Sequence, residues 1–92
     1  MAHPVYVLLP DGVEWTAVPG TTAQAPKPVR WYMRQSMLEA TTQVAVLVDG
    51  EEPERGQRMI QVAQRAAELG GLAVDAETQQ LIAPAEATNT HS

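Results

Sequence analysis

Residues 44–71 read VAVLVDGEEPERGQRMIQVAQRAAELGG, and this stretch decides the fold. Its first five residues are continuously apolar and end at Asp49-Gly50, a pattern that is typical of a central strand. Pro53 suits a first helical position, the acidic residues around it favour a helix N-terminus, and Gly70-Gly71 ends the helical pattern. We therefore predict a strand over the apolar run, followed by a helix over residues 53–69.

The predicted helix is amphipathic, because its apolar residues recur at helical spacing. The expected buried stripe consists of Met59, Ile60, Ala63, Ala66 and Ala67. The expected polar face consists of Arg58, Gln61, Gln64, Arg65 and Glu68. Since most of the stripe is alanine, we expect this helix to lie close to a sheet.

Turn signals on both sides of this unit predict two hairpins. The apolar run 5–9 stops at Pro10-Asp11-Gly12, which favours a turn and a return strand over 13–18. Residues 72–74 and 80–83 flank a segment that begins at Asp75, whose side chain can bond nearby backbone N–H groups in a turn.

Residues 29–42 fit both the strand and the helix templates, and the good helix formers near residue 40 favour a helix over 29–40. The whole order of elements is that of an α+β fold. We expect a single domain over residues 1–83, with a mixed sheet of four to five strands and two helices packed on one face. Residues 84–92 form a polar tail. Two helices leave the second sheet face either polar or in contact with a partner.

Composition limits the functions that this chain can perform. It has 92 residues, a net charge of -5 and no cysteine, which excludes a disulfide scaffold and a thiol nucleophile. No segment is long and apolar enough to suggest a membrane span or a signal peptide, so we expect a cytoplasmic protein with no membrane partner. All six basic residues lie between Lys27 and Arg65, among acidic residues, so nucleic acid is an unlikely partner. Abundant alanine and arginine are typical of a GC-rich bacterium or its phage.

No set of residues forms a familiar catalytic motif. His3 and His91 lie near opposite ends of the chain, and no glycine pattern forms a phosphate-binding loop. The strongest enzyme lead is Asp49, which follows the central strand and could hold a metal ion together with Asp75. The alternative is that the acidic residues at 49–54 stabilise the helix start and pair with arginines one turn later. We favour that alternative and expect no cofactor, no metal and no catalysis.

Arg30-Trp31-Tyr32-Met33-Arg34 places two bases, two aromatic residues and a methionine in five positions. Such mixtures recur at protein interfaces and on single-stranded nucleic-acid platforms, although they also occur in ordinary helix packing. We predict a partner-binding site at Arg30, Trp31, Tyr32 and Arg34, with Trp31 and Arg34 as anchors.

These observations favour a non-catalytic protein–protein interaction module of a bacterium or phage, which binds itself as a homo-oligomer or binds a larger partner. It would serve as a structural or assembly subunit, in the host cytoplasm or the virion, or as a small acidic inhibitor of a host complex. One alternative is a single-stranded nucleic-acid-binding protein that uses the Arg30–Arg34 cluster. A second alternative is a metal-dependent enzyme that uses Asp49.

Overall fold

The computed structural model of the chain describes residues 2–25, 27, 28 and 41–84. In these residues it contains five strands and one helix. They are β1 (His3–Pro10), β2 (Thr21–Ala23), β3 (Lys27–Pro28), β4 (Thr41–Val48), α1 (Glu54–Glu68) and β5 (Leu72–Asp75). The α+β class fits this arrangement. No helix within the described residues is long and apolar enough to cross a membrane.

The strands form one sheet in the order β2-β4-β1-β5, and the short β3 also pairs with β4. Each neighbouring pair is antiparallel, so the prediction of a mixed sheet is wrong for the described strands. Because β4 and β5 both run antiparallel to β1, they run parallel to each other. Helix α1 therefore carries the chain across one face of the sheet, from β4 to β5 on the other side of β1.

The predicted central strand and helix are both present, with bounds close to those expected. The N-terminal end of α1 follows Pro53, and its C-terminal end is closed by two glycines. The Gly70 N–H donates to the Ala67 carbonyl at 3.0 Å, and the Gly71 N–H donates to the Ala66 carbonyl at 2.7 Å. This is a Schellman motif, and Gly70 adopts the positive φ of 85° that it requires.

The core lies between α1 and the sheet. Alternate strand residues point to one face, so the odd positions of β1 and the even positions of β4 meet the helix. These strand residues are Val5, Val7, Leu9, Val44, Val46 and Val48, all at most 2% exposed. The helix contributes Val62, Ala63 and Ala66. Small residues thus allow α1 to lie close to the sheet, as the sequence predicts.

The buried face of α1 is rotated by part of a turn from the predicted one. Val62 is fully buried, although the predicted stripe omits it, and Ala67 is exposed. Ile60 is only partly buried and lies outside the core cluster. The apolar residues of α1 span a wide arc, and contact with the sheet, rather than the pattern itself, selects which part of that arc is buried.

The first predicted hairpin is wrong. A turn does follow β1, where the Val13 N–H donates to the Pro10 carbonyl at 3.1 Å, but residues 13–18 form no strand. Instead β1 pairs with β4 along its whole length, from His3↔Val48 to Pro10↔Thr41. The eight-residue β4 provides hydrogen-bond partners for more of the backbone of β1 than the shorter segment 13–18 could. Val13 and Trp15 pack against the core cluster instead.

The second predicted hairpin is present in a reduced form. Its first strand is β5, but the return segment makes a single antiparallel bridge, Val74↔Leu81, rather than a strand. The predicted helix over 29–40 lies outside the described residues, as does the tail beyond Pro84. The claim of two helices is therefore confirmed for α1 alone.

The sheet face opposite α1 is mainly apolar, which does not fit the alternative of a polar second face. Register places Tyr6, Leu8, Ala45, Leu47 and Val74 on it, together with the polar Gln43. Leu8 is only 1% exposed and Val74 only 8%. The part of this face around these two residues is therefore not a free binding surface.

Candidate functional site

The predicted partner-binding residues Arg30, Trp31, Tyr32 and Arg34 lie outside the described residues. The structure shows where the segment that contains them leaves and rejoins the sheet. Pro28, the last residue of β3, pairs with Thr42 of β4. The segment therefore begins and ends at neighbouring positions on β4, and its role stays a prediction.

Asp49 has a structural role at the start of α1. Its main-chain N–H donates to the Gly20 carbonyl at 3.0 Å, and its main-chain carbonyl accepts from Arg58 Nη1 at 3.0 Å. These main-chain contacts fix the helix to the ends of β2 and β4 and do not involve the Asp49 carboxylate. Arg58 also pairs with Glu54 at 3.0 Å, as the alternative to a metal site predicts, and its guanidinium lies directly against Gly20.

One other acidic residue near the helix start also binds an arginine. Arg55 pairs with Glu52 at 3.1 Å, whereas the i,i+4 spacing predicts a pair with Glu51. The described residues include no group of three or more His, Cys, Asp or Glu side chains that could hold a metal ion. Asp49 and Asp75 are therefore not part of such a group in this region.

His3 lies in a cluster that the sequence does not predict. It begins β1, and its Nε2 lies 3.0 Å from Asp75 Oδ1, while its Nδ1 lies 3.6 Å from Glu77 Oε1. Asp75 Oδ1 also accepts from the N–H groups of Glu77 at 2.8 Å and Thr78 at 3.3 Å. Burial raises the pKa of the Asp75 carboxyl, but these backbone donors and His3 together hold it below its ordinary value. The cluster ties the start of β1 to the turn after β5.

An open pocket of about 490 Å³ lies beside Trp15. Its lining includes Val13, Trp15, Gln24, Thr42 and Val44. Trp15 Nε1 is buried and has no hydrogen-bond partner among the described residues, so it does not reach the solvent in the pocket. The adjacent loop is held to α1 by Arg65, whose Nη1 donates to Thr16 Oγ1 at 2.6 Å.

The outer edge of β5 carries the most unusual surface of the described residues. Leu81 is 63% exposed and is the one large hydrophobic side chain there that is so exposed. Beside it lies a groove of about 240 Å³, and none of the described residues that line it has a charged or polar side chain. The lining residues are Ala63, Ala67, Gly71, Leu72, Ala73, Leu81, Ile82, Ala83 and Pro84. We call this surface the β5 edge patch.

Sequence reasoning places Leu81 in a return strand but does not reveal its exposure. The feature of the structure that accounts for the exposure is the shortness of the second hairpin. A return segment that makes one bridge to β5 has no described neighbour on its outer side. An exposed leucine alone is ordinary on a protein surface. An exposed leucine next to a wholly apolar groove is the kind of patch that marks an interaction site.

The arginines that the structure describes do not form a basic patch. Arg55, Arg58 and Arg65 each pair with a glutamate one turn away, at 3.0 to 3.3 Å. Their charges are therefore locally balanced, and they do not support the nucleic-acid alternative.

Comparison with protein-family models, curated proteins and solved structures finds no match for this chain.

Proposed function

We propose that the chain is a non-catalytic protein–protein interaction module that binds its partner through the β5 edge patch. The carrying observation is the 63% exposure of Leu81 beside a groove whose described lining consists of apolar side chains and glycine. Removing apolar surface from water lowers the free energy, so burial of this groove against another protein surface favours association. The apolar lining suits an apolar protein surface better than a charged substrate.

The other described clusters have structural explanations, which leaves this patch as the best supported site. The Arg58 contacts fix the start of α1, and the His3 cluster fixes the turn after β5. The predicted anchors Trp31 and Arg34 stay a prediction, and they are compatible with a second contact by the same partner.

Photochemical crosslinking tests the proposal on the full chain. Benzoylphenylalanine replaces Leu81 in one protein and Thr22 in a matched control, since Thr22 is exposed on β2 at the opposite edge of the sheet. After irradiation in lysate from the native host, mass spectrometry identifies the crosslinked proteins. We expect protein adducts at position 81 that are absent at position 22, and we expect them to be lost when Ala67→Lys places a charge in the groove.

Equal labelling at positions 81 and 22, or no adduct at 81, would contradict the proposal. The adduct at position 81 also identifies the partner, since a doubled chain mass indicates a second copy and any other mass indicates a different protein.

A further inference from the structure

We infer that the partner at the β5 edge patch is a second copy of this chain, paired antiparallel along residues 80–83 about a two-fold axis. The inference rests on the proposed function, because it names the partner of the same site. Three properties of the patch support it: the direction of its backbone groups, its lack of charge among the described residues, and the exposure of Leu81, which a second Leu81 would cover.

The backbone of Leu81 faces outward. The Asp75 N–H donates to the Gln80 carbonyl at 2.9 Å, and the Ile82 N–H donates to the Ala73 carbonyl at 3.0 Å. In an antiparallel pair, when the residues before and after a bridged residue make the hydrogen bonds to the neighbouring strand, the N–H and C=O of the bridged residue point away from that strand. Leu81 is that residue, and within the described part of the chain its N–H and C=O have no hydrogen-bond partner. This edge can accept another strand.

Symmetry determines the direction of the added strand. When two identical edges meet about a two-fold axis, residue i of one copy faces residue j of the other, and residue j of the first copy faces residue i of the second. The two strands therefore run antiparallel. An antiparallel pair between two Leu81 residues would give both outward-facing backbone groups a partner. The sheet would then continue from one copy into the other.

The charge distribution favours a second copy over a charged partner. Each charge near a two-fold axis meets its own like charge, so a self-interface must be uncharged at its centre. The protein carries a net charge of -5, which opposes association of two copies at its acidic surfaces. The described residues of the β5 edge patch include no ionisable side chain, so two copies can meet along them without repulsion at the contact.

The exposed leucine also gains a partner in this arrangement. Leu81 bridges Val74, so its side chain lies on the sheet face opposite α1, where it is 63% exposed. In an antiparallel Leu81–Leu81 pair, the two side chains lie side by side on that face and each covers apolar surface of the other. Because the contact is short, we expect a weak dimer, with a Kd on the order of 10 μM.

Sedimentation equilibrium of the full chain, from about 1 μM to 1 mM, tests the inference. We expect a reversible dimer for the native sequence and at least a tenfold higher Kd for Leu81→Asp. The matched control is Thr22→Asp, which changes the net charge equally on the opposite edge strand and should leave the Kd unchanged. Far-UV circular dichroism and thermal unfolding verify that both variants fold.

A mixing experiment tests the contact between the two Leu81 side chains directly. Leu81→Lys places an ammonium group at the centre of the pair, and Leu81→Asp places a carboxylate there. Each variant alone should be mainly monomeric, and an equimolar mixture should form a heterodimer that 0.5 M NaCl weakens.

A native chain that stays monomeric at 1 mM would overturn the inference, and so would equal dimerisation of Leu81→Asp and Thr22→Asp. Either result would leave the proposed function standing if the crosslinker at position 81 captures a different protein. Loss of that adduct as well would overturn both.

Discussion

At the scale of single residues, His3 and Asp75 join parts of the chain that are 72 positions apart. The role of Asp75 in its own turn is readable from sequence, because the N–H groups that donate to its carboxylate lie within three residues. The position of His3 is not readable, since it depends on the pairing of β1 with β5. A histidine that seems isolated near the N-terminus thus faces two carboxylates.

The lowered pKa of Asp75 makes stability depend on pH. A carboxyl whose pKa is lower in the folded than in the unfolded chain contributes stability above the unfolded pKa, and that contribution is lost as pH falls through the folded pKa. Asp75→Asn keeps an oxygen that accepts from the turn but removes the charge. In urea unfolding, we expect this variant to be less stable than the native chain at pH 6, with a difference that shrinks as the pH falls below about 4. A stability difference that does not change with pH would contradict the lowered pKa of Asp75. The control is Asp11→Asn, which removes a carboxylate from an exposed turn.

At the scale of elements, β4 and α1 are readable from sequence because their signals are local: a continuous apolar run, a proline start and a double-glycine stop. The pairing of β1 is not readable, because residues 13–18 and β4 offer similar strand patterns and only the complete fold selects between them. The turn at Gly12 predicts a change of direction, and it does occur. It does not determine which strand becomes the neighbour.

Two glycines near α1 give a matched test of this packing. A Cβ on Gly71 would collide with the backbone carbonyl oxygen of Leu8, whereas a Cβ on Gly56 would meet nothing within 4 Å. We expect Gly71→Ala to lower the free energy of unfolding by about 2 kcal/mol or more, because backbone must move. Gly56→Ala should raise it by about 0.5 to 1 kcal/mol, because alanine favours the helix. Equal effects of the two substitutions in chemical denaturation would contradict the close approach of residue 71 to β1.

At the scale of the whole molecule, the described residues form one sheet with a single helix on one face and two different edges. The β2 edge is short and carries Thr22, while the β5 edge presents Leu81 and an apolar groove. The preferred class, an interaction module, comes from sequence by exclusion of catalytic motifs. The surface proposed for it requires the fold, because exposure of Leu81 depends on how little of the return segment pairs with β5.

Amide hydrogen exchange at Leu81, followed by NMR at about 20 μM and 1 mM protein, tests the central claim most directly. If this edge pairs with a second copy, the Leu81 N–H donates across the interface, and its exchange should slow at least fivefold at the higher concentration. The Glu77 N–H, which already donates to Asp75, should exchange at the same rate in both samples. Exchange at Leu81 that is equally fast at both concentrations would contradict the pairing of two copies along this edge.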